Sequence, residues 1–504
     1  MGLLLRLPLI LVLTGLFSLS MMVPALVALR LEEFHDARSF FYSGVLGLLI
    51  TGFVGLALGG QVHNRRVLRQ LVALMAAFAF LPLMLAVPFY ESVRNTSFIS
   101  AYFEMVSCLT TTGATLFEPG RLSVAEHLWR AQVGWLGGLI MWIAAAAILA
   151  PLTLGGFEVT ARGEPGQPPE PGAARRDQTD PAGRLLRSTR ELMPVYCGLT
   201  LIAAVLLLVA GDPPLVAVSH AMSVMATSGI SPISGPQGAP AGFAGEIVIF
   251  CFFIFALSRL TFSGDTSVMG RKGLWRDPEF RLALLLVAAV PLVLFLRHWS
   301  AAFDVGEQEN FLAALHALWG SLFTTLSYLT TTGFVSADWE AAQGWSGLST
   351  QGLILMGLAI LGGGVATTAG GVKLLRVYAL YASGVRELER LIHPHSVGRT
   401  GLISRRVRRE GSFIAWVFFM LFAVSIAVLN MGLGLLGIRF EPSMVMTIAT
   451  LTNTGPLMTM ASDQAINLIA IAPGAKILLC LAMVLGRLEL LAIIVMLNPE
   501  IWRD

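Results

Sequence analysis

The chain has 504 residues, of which 55% are hydrophobic and only 13% are charged, and its mean hydropathy is +0.74. Soluble globular proteins carry about 25% charged residues. The composition therefore predicts a polytopic membrane protein, and the net charge of +3 gives no indication of nucleic-acid binding. The four cysteines form no C-x-x-C pair, so neither a zinc site nor a disulfide framework is indicated.

Ten apolar segments have the length needed to cross a membrane, which takes roughly 20 residues because a helix rises about 1.5 Å per residue. They lie at residues 7–29, 40–61, 71–91, 132–154, 194–210, 243–263, 282–297, 349–380, 412–436 and 471–497. The first is too long for a signal peptide, so we interpret it as a retained helix. Four shorter apolar stretches, at 98–111, 214–226, 316–330 and 441–451, are expected to be re-entrant half-helices.

Arginine is concentrated in alternate connections between these segments, at residues 63–70, 162–190, 271–281 and 386–409. The other connections lean acidic. The positive-inside rule places the arginine-rich connections in the cytoplasm. With ten spans, both termini are then expected in the cytoplasm, and all four short stretches fall on the outer side.

Each short stretch ends in a hydroxyl-rich tetrad that closes with glycine. The sequence L-T-T-T-G occurs at 109–113 and again at 329–333, and looser copies are A-T-S-G at 226–229 and T-N-T-G at 452–455. Glycine permits positive φ and close backbone approach, and backbone carbonyls can replace the hydration shell of a cation. A single copy could be an ordinary helix cap. Four copies at matched positions predict four pore loops around one axis.

The expected fold is therefore an all-α polytopic membrane protein with about ten transmembrane helices. Two N-terminal helices precede four helix–pore loop–helix repeats around a pseudo-fourfold pore. The expected divisions are a helix pair at 1–69, repeats at 70–160, 190–270, 280–385 and 411–504, a Pro/Gly-rich cytoplasmic linker at 161–189, and a basic cytoplasmic connection at 386–410.

A second glycine-rich stretch, at residues 362–373, interrupts an apolar segment. Five glycines at mid-helix depth each weaken a helix by roughly 1 kcal/mol relative to alanine, so a broken helix with an unwound middle is expected. Close helix packing through small residues is the alternative. The residues of interest are Gly362, Gly363, Gly364, Gly370, Gly371 and Lys373.

Arg487 lies within a late apolar run, with Glu489 two residues further on. A charge at the centre of a membrane helix costs about 2.5–3.5 kcal/mol on insertion scales, so it usually faces a pore or a partner. Snorkelling toward the cytoplasm is the alternative. Glu104, inside the first short stretch, could concentrate cations at an entrance or lie on an exposed rim.

These motifs resemble the TrkH/KtrB family of bacterial potassium transporters, and the TrkH branch in particular. The resemblance covers essentially the whole chain. It is carried by the segments at 110–115, 330–334 and 451–456, by Trp135-Leu136-Gly137-Gly138, and by the two extra N-terminal helices. The second copy, at 226–230, departs most from the family pattern.

The resemblance implies a potassium uptake subunit that conducts K⁺ through a selectivity filter of backbone carbonyls. Gly113 in the first loop implies a preference for potassium over sodium. The implied filter residues are Thr111, Thr112, Gly113, Thr227, Ser228, Gly229, Thr331, Thr332, Gly333, Asn453, Thr454 and Gly455. In the family a loop after the third filter segment gates the pore together with an arginine, which Arg487 matches.

The resemblance also implies a homodimer in the bacterial inner membrane, in contact with lipid, with a cytosolic nucleotide-binding regulatory subunit of the TrkA kind. K⁺ would be the transported ion and no organic cofactor is expected. Two other functions stay open: a K⁺ symporter coupled to H⁺ or Na⁺, and a non-transport membrane scaffold. The sequence has no P-loop, dinucleotide fingerprint or H-E-x-x-H motif, so we do not expect an enzyme.

Overall fold

The computed structural model describes residues 8–58, 67–150, 181–258, 275, 277–301, 311–348, 350–393, 409–462 and 466–489, and these residues contain helices and no strand. The N-terminal part comprises α1 (Leu9–Ser20), α2 (Met22–Arg30) and α3 (Phe34–Leu58). Phe17, Met21 and Phe40 are fully buried between these helices and their neighbours. A Cβ at Gly47 would overlap the hydroxyl of Ser18, so glycine lets α3 pack closely on α1.

The first half of the remaining chain contains α4 (Val67–Ser92), α5 (Phe98–Leu109), α6 (Val124–Ala144), α7 (Pro181–Ala210), α8 (Pro214–Ala226) and α9 (Gly242–Phe253). The second half contains α10 (Pro278–Ala301), α11 (Phe311–Leu329), α12 (Trp339–Ser346), α13 (Gln351–Leu361), α14 (Leu374–Ile392), α15 (Arg409–Leu435), α16 (Phe440–Leu451), α17 (Leu457–Met460) and α18 (Pro473–Leu488). The four short apolar stretches correspond to α5, α8, α11 and α16.

Eight helical stretches of the described residues are long and apolar enough to cross a membrane, or nine if the bent pair α12 and α13 forms one span. They are Leu9–Arg30, Phe34–Leu58, Gln70–Ser92, Val124–Leu149, Gly183–Ala210, Pro278–Arg297, Phe311–Leu329 and Gly411–Leu435. The all-α, multi-pass prediction is confirmed. The third short stretch differs, because α11 has 19 residues and is itself long enough to span.

Two predicted spans are described only in part, and a third is broken. Of the predicted span 243–263, the structure describes a short apolar helix, Gly242–Ala256, and residues 259–263 lie outside the described residues. The predicted span 471–497 is helical from Pro473 to Leu488, and residues 490–504 lie outside the described part of the chain. The predicted span 349–380 is broken between α13 and α14, as the glycine-rich sequence predicted.

The predicted cytoplasmic connections are described only in part. Residues 151–180 and 394–408 lie outside the described residues, and with them most of the predicted linker and basic connection. The last part of the predicted linker is helical, because α7 begins at Pro181. The described part of the basic connection is also helical, since α14 continues to Ile392.

Candidate functional site

The four helices α5, α8, α11 and α16 end in the same backbone conformation. One residue just after each helix has a left-handed φ. It is the second residue after α5, α11 and α16 and the first residue after α8, and the values of φ are 53° at Thr111, 49° at Thr227, 58° at Thr331 and 54° at Asn453. Glycine usually occupies this position, and a residue with a Cβ costs about 1–2 kcal/mol there. The structure therefore places strained backbone at one matched position in all four copies, a feature that the sequence did not reveal.

The hydrogen bonds of the four helix ends also match. In each copy, the N–H after the left-handed residue donates to the carbonyl five residues back, which is the longer bond of a Schellman motif. The N···O distances are 2.8 Å for Thr112 to Ser107, 2.9 Å for Ser228 to Ser223, 3.0 Å for Thr332 to Ser327 and 2.8 Å for Thr454 to Ala449. The four copies therefore share a conformation as well as a sequence pattern.

The four segments that follow these helix ends meet one another. We call them loop 1 (110–114), loop 2 (226–230), loop 3 (330–334) and loop 4 (452–456). A Cβ at Gly113 would overlap the carbonyl oxygen of Ser228, and a Cβ at Gly229 would overlap that of Thr332. These positions show that loop 1 lies against loop 2, and loop 2 against loop 3.

Loop 4 completes the ring. A Cβ at Gly333 would lie 2.9 Å from Pro456 Cβ, which brings loop 3 against loop 4. The N–H of Gly455 donates to the carbonyl oxygen of Thr112 at 2.6 Å, which joins loop 4 to loop 1. Positive φ is confirmed at three of the loop glycines, Gly113 (74°), Gly229 (65°) and Gly333 (80°). Gly455 instead has no positive φ and permits a close approach between loops.

The structure brings all twelve predicted filter residues into this ring, and their side chains are buried. The relative exposure of the threonine, serine and asparagine members is 1% or less. Thr111 Oγ1 and Asn453 Oδ1 have no hydrogen-bond partner among the described residues. The ring is thus rich in uncharged oxygen atoms, which can bind a dehydrated monovalent cation.

The glycine-rich loop (residues 362–373) contacts the ring at the ends of the short helices. The N–H of Gly370 donates to Thr331 Oγ1 at 2.7 Å, and Thr368 Oγ1 donates to the carbonyl oxygen of Met225 at 3.2 Å. A Cβ at Gly370 would overlap the carbonyl oxygen of Thr452. The loop therefore contacts loops 3 and 4 and the end of α8 directly.

The glycines of this loop also permit close packing, which was the alternative interpretation. Gly362 (φ 71°) and Gly371 (φ 77°) have positive φ and lie against each other across the two ends of the loop. A Cβ at Gly364 would lie 2.5 Å from the carbonyl oxygen of Leu257, and one at Gly363 would lie 2.5 Å from Ala369 Cβ. Close packing and an unwound helix therefore occur together.

The basic side chains of Arg487, Lys373 and Arg376 and the carboxylates of Glu489 and Glu279 lie around the glycine-rich loop. Arg487 NH1 donates to the carbonyl oxygen of Thr368 at 2.6 Å, and Lys373 Nζ donates to the carbonyl oxygen of Ala369. Arg376 forms an ion pair with Glu489 at 2.6 Å and lies over the ring of Phe418. Arg487 is only 4% exposed, so it does not snorkel to a surface of the described structure.

Sequence reasoning missed several buried carboxylates. Glu104 is 0% exposed and forms an ion pair with Arg130 at 2.7 Å, so its expected place at an entrance or rim was wrong. Glu246 and Glu279 are also buried, at 2% and 1% exposure. One signal in the sequence could have predicted that Glu104 is buried and paired, namely its place in an apolar stretch. A lone buried charge is costly and needs a partner. No group of three or more His, Cys, Asp or Glu residues that could hold a metal ion occurs in the described ranges.

The fold and the site define a multi-pass α-helical membrane protein in which four loops of common conformation form a buried, oxygen-rich ring. A sequence model of the TrkH family, described as "Cation transport protein", matches residues 242–503. The chain belongs to this family, which confirms the expected resemblance. Since the family consists of cation transport proteins, the expectation that the chain is not an enzyme is also confirmed.

Characterised relatives match along nearly the whole chain. The chain is 30% identical over 506 residues to the Trk system potassium uptake protein TrkH of Salmonella typhimurium, covering 97% of each chain. It is 28% identical over 518 residues to the protein of the same name from Vibrio parahaemolyticus, covering 98% of each. Among solved structures, the crystal structure of the potassium transporter TrkH from Vibrio parahaemolyticus superimposes with a TM-score of 0.79 at 26% identity, covering 100% of both chains.

Proposed function

We propose that this chain is a potassium uptake subunit and that loops 1–4 form its selectivity filter. The observation that carries the proposal is the closed ring of four loops, each with left-handed φ at the same position. Family membership and the names of the relatives support K⁺ as the transported ion. Within this proposal the repeats at 70–160, 190–270, 280–385 and 411–504 surround one pseudo-fourfold pore.

Selectivity follows from the chemistry of the ring. Carbonyl and hydroxyl oxygens, including those of Thr111, Ser228 and Thr332, offer dipoles without a net charge, and these suit a weakly hydrated monovalent cation. The four helices end at the ring with their C-termini, where the helix dipole is negative. This field favours a cation over an anion, while the close packing of the loop glycines holds the oxygen atoms near the axis.

We propose that the glycine-rich loop and Arg487 form the gate. The loop contacts the filter residue Thr331, and the guanidinium of Arg487 holds the loop through the carbonyl of Thr368. Lys373 and Arg376 add positive charge nearby, while Glu489, which pairs with Arg376, and Glu279, which accepts the N–H of Val365, each add one negative charge. The remaining positive charge opposes the passage of a cation, because electrostatic interactions are strong in a low-dielectric interior.

Symport of K⁺ with H⁺ or Na⁺ is the second candidate mechanism. The sequence showed almost no carboxylate in the late spans, whereas the structure buries Glu104, Glu246 and Glu279. Glu279 accepts the N–H of Val365 at 3.0 Å and so contacts the proposed gate. Potassium flux that stops when the proton and sodium gradients are removed would establish symport, and flux that follows the potassium gradient alone would exclude it.

We further propose a bacterial inner-membrane location with both termini in the cytoplasm, and a homodimer that binds a TrkA-like cytosolic nucleotide-binding subunit. The arginine-rich connection at 386–410 is suited to such a partner or to anionic lipid headgroups. Mass measurement of the detergent-purified protein, with and without that subunit, tests both assemblies. A monomer that does not bind the subunit would contradict them.

The filter is tested by K⁺ and Na⁺ flux into proteoliposomes that contain wild-type protein or Gly333→Ser. The serine Cβ would press on Pro456 and would have to adopt φ of 80°, so we expect a clear fall in the K⁺-to-Na⁺ flux ratio. Gly344→Ser is the matched control, because a Cβ at that exposed glycine has nothing within 4 Å. An unchanged ratio in Gly333→Ser would refute the proposed filter.

A further inference from the structure

A buried carboxylate holds the chain on both sides of loop 3. Glu246, on α9, is 2% exposed. Its Oε2 atom accepts hydrogen bonds from Trp319 Nε1 at 2.7 Å and from Ser336 Oγ at 2.7 Å, and its Oε1 atom accepts one from the N–H of Ala337 at 2.6 Å. Three donors converge on this one carboxyl group and hold it as a clamp, because hydrogen bonds to a carboxylate are roughly twice as strong as those between neutral groups.

The three donors belong to the two segments that flank loop 3. Trp319 lies on α11, which leads into the loop, whereas Ser336 and Ala337 lie three and four residues after Gly333 in the outgoing chain. The carboxylate comes from a different helix, α9, which follows loop 2. Glu246 therefore fixes the incoming helix and the outgoing chain relative to each other, and the loop lies between these two fixed points.

A buried carboxylate also holds the chain near loop 1, but it lies on the helix that leads into that loop. Glu104, on α5 itself, accepts the N–H of Leu116 at 3.0 Å through Oε2 and binds Arg130 through Oε1. Loop 2 is held differently, because the outgoing N–H groups of Ile233 and Gly235 donate to the hydroxyl of Ser231. The use of a carboxylate is therefore specific to particular loops and does not follow from the repeated motif.

We infer that Glu246 is a positioning residue that sets the ion selectivity of the filter without touching the ion. The inference rests on the proposed function, since it requires loop 3 to be part of the filter. A clamp between the incoming helix α11 and the chain that leaves loop 3 keeps the carbonyl of Thr332 at its place in the ring. Without the clamp, loop 3 can move away from the other three loops, and the ring becomes wider. A wider ring discriminates less between K⁺ and Na⁺.

Glu246→Gln replaces one acceptor oxygen by an NH₂ donor, while the side chain keeps nearly the same shape. The carboxylate accepts from three donors, whereas the glutamine amide has one oxygen and an NH₂ group that would face a donor. We expect the K⁺-to-Na⁺ flux ratio to fall by about fivefold or more, because a buried donor is left without an acceptor. A ratio is the appropriate readout, since the amount of folded protein affects both fluxes equally.

A second substitution tests the mechanism by compensation. Trp319→Phe removes the indole donor, so the double variant Glu246→Gln, Trp319→Phe lets the glutamine NH₂ face an apolar ring. We expect this double variant to recover part of the lost flux ratio. Glu340→Gln is the matched control for the change of charge, because Glu340 is an exposed glutamate on α12. It should leave the ratio as in the wild type.

The outcomes separate this inference from the proposed filter. If Gly333→Ser lowers the ratio and Glu246→Gln does not, the filter stands and the positioning role of Glu246 is refuted. If neither variant changes the ratio, both proposals fail. If Glu246→Gln does not fold, Ser336→Ala removes one of the three bonds and should still lower the ratio by a smaller factor. An unchanged ratio in a folded Ser336→Ala protein would likewise overturn the inference.

Discussion

Arg487→Ala provides the most direct test of the proposed gate. Arg487 donates one charge-assisted hydrogen bond of 2.6 Å to the carbonyl of Thr368 in the glycine-rich loop. Its Nε and NH2 atoms have no hydrogen-bond partner in the part of the chain that the structure describes. The side chain therefore stabilises this conformation of the loop through one contact and pays a desolvation cost for its remaining donors.

The expected magnitude follows from that contact. A hydrogen bond to a charged group contributes about 1.5–3 kcal/mol to a folded conformation. The unpartnered donors favour the lower end of this range, and about 1.4 kcal/mol corresponds to a factor of ten in an equilibrium constant. We therefore expect Arg487→Ala to raise basal K⁺ flux about tenfold, and further if the lost positive charge also lowers the barrier to the ion.

The assay is K⁺ flux into proteoliposomes that contain equal amounts of reconstituted wild type and variant. Arg487→Lys keeps a positive charge and donor groups on a shorter side chain without the guanidinium. A rise in both variants assigns the effect to the guanidinium's bond to Thr368, and a rise in Arg487→Ala alone shows that any positively charged donor at this position is sufficient. Basal flux that remains at the wild-type level in both variants would remove Arg487 from the gate.

Two further predictions concern the proposed filter and the buried ion pair of Glu104 and Arg130. Gly113→Ser should raise Na⁺ flux relative to K⁺ flux, because the new Cβ would overlap the carbonyl of Ser228 and displace an oxygen of the ring; ion-substitution measurements in proteoliposomes check this. Glu104→Gln should lower the thermal stability of the detergent-purified protein, because Arg130 is 3% exposed and would lose its ion-pair partner. Removal of one member of a buried pair costs about 3–5 kcal/mol, and thermal unfolding measures the loss.

Each of these predictions has a control within the chain. The control for Gly113→Ser is Gly384→Ser, because a Cβ at Gly384 has no heavy atom within 4 Å. A K⁺-to-Na⁺ flux ratio that Gly113→Ser does not alter would argue against loop 1 as part of the filter. For the second, Glu387→Gln alters an exposed ion pair with Arg390, which contributes little to stability. Equal unfolding temperatures for Glu104→Gln and Glu387→Gln would contradict the structural role of the buried pair.

Local sequence was sufficient to predict the break at 362–373 and the four matched loops. Glycine content disfavours a helix at any depth, and a repeated tetrad reports a repeated conformation. The left-handed φ of Thr111 and its three counterparts was not predictable in this way, because backbone propensity assigns that conformation to glycine. Packing of the ring imposes it on residues with a Cβ, at a cost that the surrounding structure offsets.

The buried carboxylates could not be predicted because their partners are distant in sequence. Glu104 pairs with Arg130 on another helix, and Glu246 accepts from Ser336 and Ala337, which follow loop 3. Only the tertiary structure brings these groups together. The number of spans was also difficult to predict from sequence alone. The apolar length of α11 does not distinguish a helix that spans the membrane from one that ends at the ring.

The proposed gate is joined to the proposed filter by a hydrogen bond, and this limits how the gate can move. The N–H of Gly370 donates to Thr331 Oγ1, a predicted filter ligand, so withdrawal of the glycine-rich loop must break that bond. The hydroxyl oxygen of Thr331 would then have a lone pair free to meet a cation. In loop 4, which lies next to loop 3, the amide of Asn453 donates to Thr112 Oγ1 and to the carbonyl of Met483 on α18, one helical turn before Arg487. Movement of the gate therefore cannot leave the oxygen atoms of the ring unchanged, and flux and selectivity should respond together when the loop is displaced.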